Sequence, residues 1–174
     1  FSFIKRFFVV LILFSAFIFI SALSYVNAVS EDISDSVFRL HVIANRDSNE
    51  DQALKYKVRD AILDYMDDIT ANCTFKEEVI SLANEHKEEM CNVAKETISA
   101  NGYDYDVSIE IGNFEFPTKQ YGDISLPAGY YDAVRVKIGE ASGQNWWCVM
   151  FPPLCFVDVT SGVVPNESKE IIKE

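Results

Sequence analysis

Val37-Phe38-Arg39-Leu40-His41-Val42-Ile43-Ala44 runs into Asn45-Arg46-Asp47-Ser48-Asn49-Glu50-Asp51, and then Leu54, Val58, Ile62 and Met66 recur. The first eight residues alternate. Phe38, Leu40, Val42 and Ala44 take one side while Arg39 and His41 take the other, as in a half-buried strand. The next seven carry turn chemistry. Ser48 with Asp51 three residues on resembles a capping box with Asp in place of Glu. Asp47, Glu50 and Asp51 also suit the positive end of a helix macrodipole. The spacing that follows predicts a helix over about residues 50–68. Arg39 and His41 are expected to face away from the core, and His41 to be solvated.

Further along, Thr74 and Glu77 form a T-x-x-E capping box. It opens a second helix with Phe75, Val79, Leu82, His86, Met90 and Val93 as its apolar stripe, His86 serving as packing. Asn101-Gly102 ends it. Tyr105, Val107, Ile109 and Ile111 then alternate with polar residues, Phe114 and Phe116 flank Glu115, and Val134, Val136 and Ile138 alternate with Arg135 and Lys137. These are three more strands. Residues 117–129 form a loop region with turn signals at Tyr121-Gly122-Asp123 and Pro127-Ala128-Gly129. A strand, two helices and several strands imply an α+β fold: a mostly antiparallel sheet with two helices packed on one face.

The chain of 174 residues begins with Phe1 rather than Met and so reads as a possible fragment. Residues 1–28 stand apart. Lys5 and Arg6 precede an apolar run from Phe7 to Ile20, and Val26-Asn27-Ala28 ends in a small residue. This is the pattern of a secretory signal cleaved after Ala28. The rival is an uncleaved membrane anchor, since Phe7 to Val26 provides about the ~20 residues a span needs. Residues 29–164 are then a single α+β domain and residues 165–174 a polar charged tail. Lys5 and Arg6 are the only charges in residues 1–28, so the remainder carries 13 Lys+Arg against 27 Asp+Glu. That balance argues against nucleic acid and against adsorption to anionic lipid.

Asn145-Trp146-Trp147-Cys148-Val149-Met150-Phe151-Pro152-Pro153-Leu154-Cys155-Phe156-Val157-Asp158 contains both tryptophans and, between its polar ends, no polar side chain except two thiols. Such a segment is buried, disulfide-closed or held for a partner. An exported chain with four cysteines suggests oxidation. Cys73 and Cys91 fall in one expected helix, roughly 27 Å apart at its rise per residue, well beyond the ~7 Å reach of a bridge. Cys148 and Cys155 flank Pro152-Pro153 and can meet, so that pair is expected to be bridged and Cys73 and Cys91 free. If the segment is extended, Trp146 and Trp147 point to opposite faces, one into the core and one toward a partner. The prolines forbid a regular central strand around them.

Reactive chemistry finds little footing. A cysteine nucleophile needs a histidine base, and His41 and His86 are the only histidines. Asp47, Asn49 and Asp51 have the spacing of an EF-hand start, but Gln52 and Val58 stand where such a loop needs Gly and Glu, and capping explains the acids. No cofactor motif occurs.

The segment Arg39 to Lys55, the stretch Phe116-Pro117-Thr118-Lys119-Gln120-Tyr121-Gly122, the piece Leu126-Pro127-Ala128-Gly129-Tyr130-Tyr131 and the block Asn145 to Asp158, in that order, resemble the stage II sporulation protein R family. The resemblance runs from about Val37 to Asp158. Arg46 departs from it, standing where the family pattern has serine. The resemblance implies a signalling domain, made in the forespore and secreted into the space between the two spore membranes. There it triggers a membrane-embedded aspartic-type protease of the mother cell, which processes a sigma-factor precursor. It implies an activator without catalytic residues or cofactor of its own. Two contact surfaces are expected: the turn and helix start with Arg39, Asn45, Asp47, Asp51 and Gln52, and the loop with Trp146, Trp147, Pro152 and Pro153. The competing reading is an exported hydrolase with an unrecognised site.

Overall fold

The computed structural model describes residues 2–121 and 124–153, with backbone alone at Ser2 and residues 26–32. The chain divides into two units, residues 1–33 and 34–174. The first is carried by helix α1 (Ser2–Ser36). Within it Phe3–Tyr25 has mean hydropathy 2.7, and its described side chains are unburied; the segment is long and apolar enough to cross a membrane.

The second unit is α+β. Its elements are β1 (Phe38–Ile43), α2 (Asn49–Thr70), α3 (Lys76–Glu85), α4 (Lys87–Ala100), β2 (Val107–Phe116), β3 (Lys119–Tyr121), β4 (Ile124–Leu126), β5 (Gly129–Ile138) and β6 (Asn145–Phe151). The main sheet has the order β2-β5-β1-β6. The pairs β2–β5 and β1–β6 are antiparallel. The central pair β1–β5 is parallel, with Leu40 opposite Val134 and Val42 opposite Val136. A parallel neighbour needs a long crossover, which the helices and β2 supply.

One sheet face packs on the helices. Phe38, Leu40, Val42, Val134, Val136, Ile138, Cys148 and Met150 meet Leu54, Val58, Ile62 and Met66 of α2, Val79 and Ala83 of α3, and Met90, Ala94 and Ile98 of α4. The alternation in the strands and the four-residue spacing in α2 are what create these two matching surfaces. Ser48 caps α2 as expected, its Oγ accepting from the Asp51 amide at 3.1 Å.

Several elements differ from the sequence reading. The second expected helix is two helices, broken at His86, whose backbone (φ −95, ψ 18) leaves the helical region. His86 is half-buried, and its Nδ1 lies 2.7 Å from the Tyr65 hydroxyl, so it is a hydrogen-bonded hinge residue rather than plain packing. Helix α3 starts at Lys76, and the cap is Glu78, whose carboxylate accepts from the amides of Thr74 and Phe75. The expected Thr74–Glu77 box is therefore shifted by one residue. The two short strands expected at Tyr105–Ile111 and Phe114–Phe116 are the single strand β2, because ten consecutive residues pair with β5 through Gly112. The loop region before Gly129 holds the hairpin β3–β4, which pairs only with itself.

Candidate functional site

Alternation in β1 sends Arg39 and His41 to the face away from the described helices, as expected, but neither is solvated. Arg39 is 0% exposed and His41 5%. The cause is the β3–β4 hairpin together with aromatic side chains from β2, β5 and β6. The Arg39 guanidinium carbon lies 4.1 Å from the Phe116 ring centre, 4.6 Å from that of Tyr131 and 5.9 Å from that of Tyr121. Its Nη2 donates to the Tyr121 hydroxyl at 2.8 Å, and that hydroxyl donates to the Trp147 carbonyl at 3.2 Å. Tyr121 thus ties the hairpin to both central and edge strands. Among the described residues Arg39 Nε and Nη1 have no hydrogen-bond partner, and no carboxylate pairs with the guanidinium.

That combination is energetically unusual. A buried donor without an acceptor costs about 1–3 kcal/mol, and a buried charge without a counter-charge costs several. Each ring contact returns only about 0.5–2 kcal/mol. The cage is therefore adequate to hold the guanidinium but not to neutralise it.

Beside it, His41 stacks on Trp147 with ring centres 3.7 Å apart and planes 16° from parallel. Its Nε2 is 2.7 Å from Asn145 Oδ1; an amide oxygen only accepts, so Nε2 is the donor. Phe116 meets both rings edge-on. Burial lowers the His41 pKa to about 4, with Arg135, Arg39 and Lys137 adding to the fall and the Asn145 hydrogen bond opposing it. Above pH 6.5 the ring is neutral folded and unfolded. Below it the unfolded chain binds a proton that the folded chain refuses, so stability falls as pH drops from about 6.5 to 4 and this contribution levels off beneath that. The expected loss is about 3 kcal/mol. Urea unfolding at stepped pH checks it, and His41→Phe, which keeps a ring for the stack, is expected to flatten that part of the profile.

Arg135 and Lys137 extend the cationic character of this face. Arg135 lies over Phe114 at 3.8 Å, and both reach Glu110, at 3.7 and 2.7 Å. Those two cations hold down the Glu110 pKa, the Lys137 hydrogen bond most of all.

The tryptophans do point to opposite faces. Trp147 belongs to the aromatic face just described. Trp146 packs on the helix side, edge-on to Tyr56 and 4.6 Å from the Arg59 guanidinium. Both are half-buried. The segment to Phe151 is an edge strand, β6, and it stops where Pro152 withdraws its N–H. Pro152 is buried and Pro153 exposed. Cys148 is buried and disulfide-bonded; Cys73 and Cys91 are free thiols. Cys155, the expected partner of Cys148, lies outside the described residues, as does the rest of the block from Leu154.

The turn after β1 is an internal junction. Asn45 is 6% and Asp51 5% exposed. Asn45 Nδ2 donates to Asp51 Oδ2 at 3.2 Å, and its Oδ1 accepts from the Glu140 amide at 2.9 Å. Its carbonyl accepts from Ser142, and the Ala44 carbonyl from the Gly143 amide. Asp47 accepts from the Gln144 amide, Gln52 donates to the Arg46 carbonyl, and Lys55 donates to Gln52 and to the Gln144 carbonyl. A Cβ at Gly143 would sit 2.3 Å from the Arg46 carbonyl oxygen, so glycine is required for this close approach. The structure thus regroups the expected residues: Arg39 goes with Trp147, while Asn45, Asp47, Asp51 and Gln52 join the β5–β6 connection. Phe116, Tyr121 and Tyr131 were missed as site residues because sequence spacing does not show that three aromatics close over one arginine.

No solved structure matches the chain. A curated protein, stage II sporulation protein R of Bacillus subtilis (strain 168), is 39% identical over 144 residues, covering 82% of this chain and 64% of that protein. The chain therefore spans less than two thirds of the relative's length. The model of the family described as stage II sporulation protein R matches residues 34–161, which contain Arg39, the aromatic cage and the Asn45 junction. On that match, laid over the folded unit from just before β1 to beyond β6, the chain belongs to the stage II sporulation protein R family.

Proposed function

We propose that this chain is a signal sent from the forespore into the space between the two spore membranes. It binds the outer face of a membrane-embedded aspartic-type protease of the mother cell and favours its active state, so that a sigma-factor precursor is processed. Favouring that state requires tighter binding to it than to the inactive one. The observation that carries this reading is the order of parts: an apolar helix able to cross a bilayer precedes a folded unit that the family model covers. In this reading the helix is an export signal or an anchor, and the folded unit acts by contact, with no reactive group or cofactor of its own. We assign the contact to the face away from the described helices, with Arg39 and Trp147, extended by Pro153. We also propose that Cys148 bridges to Cys155, which would fix the end of β6 and lower the ordering entropy lost on binding.

Co-purification tests this. The full chain and the candidate protease are expected to leave detergent-solubilised membranes as one complex. Cys73→Ser with Cys91→Ser should leave that complex intact. A purified, folded chain that turns over a substrate by itself would overturn the reading.

A further inference from the structure

We propose that Arg39 is the anchor of a carboxylate-binding site roofed by the β3–β4 hairpin. The inference goes beyond the proposed function and does not depend on it. A guanidinium has five N–H donors. The central carbon of this one lies 4.1 and 4.6 Å from the ring centres of Phe116 and Tyr131, and Nη2 is engaged by Tyr121. Nε and Nη1, with three N–H bonds between them, have no acceptor among the described residues although the residue is wholly buried. Aromatic faces can hold a cation in place, but they cannot accept in the guanidinium plane. What is missing is an in-plane acceptor with negative charge, and a carboxylate has that geometry.

The neighbours exclude a cationic ligand. Arg135 and Lys137 share this face, and Glu110 is committed to both. The roof is light. β3 and β4 have three residues each and pair only with one another, and an isolated two-stranded hairpin is marginal in water. Over the cage the Tyr121 hydroxyl ties it to Arg39 and to the Trp147 carbonyl. Lifting it would open Arg39 without disturbing the four-stranded sheet.

The carboxylate could come from a small organic acid or from an acidic peptide segment, and two arms separate these. Full-length chain with ¹⁵N-arginine, in uncharged detergent micelles, gives an Arg39 Nε–H resonance identified by its loss in Arg39→Lys. It is titrated with sodium acetate, and separately with a blocked Ala-Asp-Ala tripeptide and its Asn counterpart, all at constant ionic strength against sodium chloride. A saturable shift with acetate alone identifies a small-acid site. A shift with the Asp but not the Asn peptide identifies an acidic segment as ligand. Tyr121→Phe should lower the half-saturating concentration by about tenfold, the worth of the hydrogen bond that must break. Absence of a saturable shift in both arms, or an equal shift with chloride, overturns the proposal.

Discussion

Arg39→Met is expected to leave the folded unit as stable as the native chain, or more stable by up to about 2 kcal/mol, while protease activation falls about thirtyfold. The stability half follows from the cage. Met keeps much of the length and apolar stem that lie between Phe116 and Tyr131. It removes a buried charge whose Nε and Nη1 have no acceptor among the described residues. Replacing buried charge with apolar volume is commonly neutral or stabilising, and Tyr121 keeps its bond to the Trp147 carbonyl. The functional half follows if Arg39 serves the partner: a hot-spot arginine is worth about 2 kcal/mol or more, which is about thirtyfold. Urea unfolding followed by tryptophan fluorescence gives the first quantity and precursor processing the second. A loss of several kcal/mol with activation falling only in step would reduce Arg39 to a structural residue.

Asn45→Ala is expected to show the opposite pattern, a large loss of stability. Its side chain joins β1, the start of α2 and the β5–β6 connection through Asp51 and the Glu140 amide. Removing it takes the Asn45 hydrogen bond from the Asp51 carboxylate, which is 5% exposed, has no partner at Oδ1 among the described residues and is left with the Tyr105 hydroxyl beside it. The expected cost is about 3 kcal/mol, or a fall of roughly 10 °C in melting temperature. Asp51→Ala on the Asn45→Ala background should cost much less than on the native one, because the two form one network. Thermal unfolding of the four chains closes the cycle. A change within about 0.5 kcal/mol would mean that Asn45 is not a structural tie and is free to serve as a contact residue.

These two residues show what the sequence discloses and what it hides. The alternation through β1 correctly separates Leu40 and Val42 from Arg39 and His41, because side-chain direction in a strand is fixed by local geometry. Burial of the second face is not local. It depends on the β3–β4 hairpin, some eighty residues away, folding back so that Tyr121 reaches Arg39. The spacing in α2 is legible for the same local reason, as is its Ser48 cap. The break at His86 is not, since the apolar stripe continues across it and the departure lies in one residue's backbone. The parallel β1–β5 pairing is likewise hidden, because period-two alternation says nothing about strand direction. The opposite orientation of Trp146 and Trp147 was legible from an extended backbone; the assignment of Trp147 to His41, and of Trp146 to Tyr56, required the sheet order.

The claim that this chain acts by touching a protease is tested most directly in a host that does not sporulate. The chain, the candidate protease and the sigma-factor precursor are expressed together, and the precursor's size is followed. The account predicts processing only when the chain is present, and its loss with Arg39→Met although that variant is exported and folded. Processing without the chain, or none with it, would contradict the account.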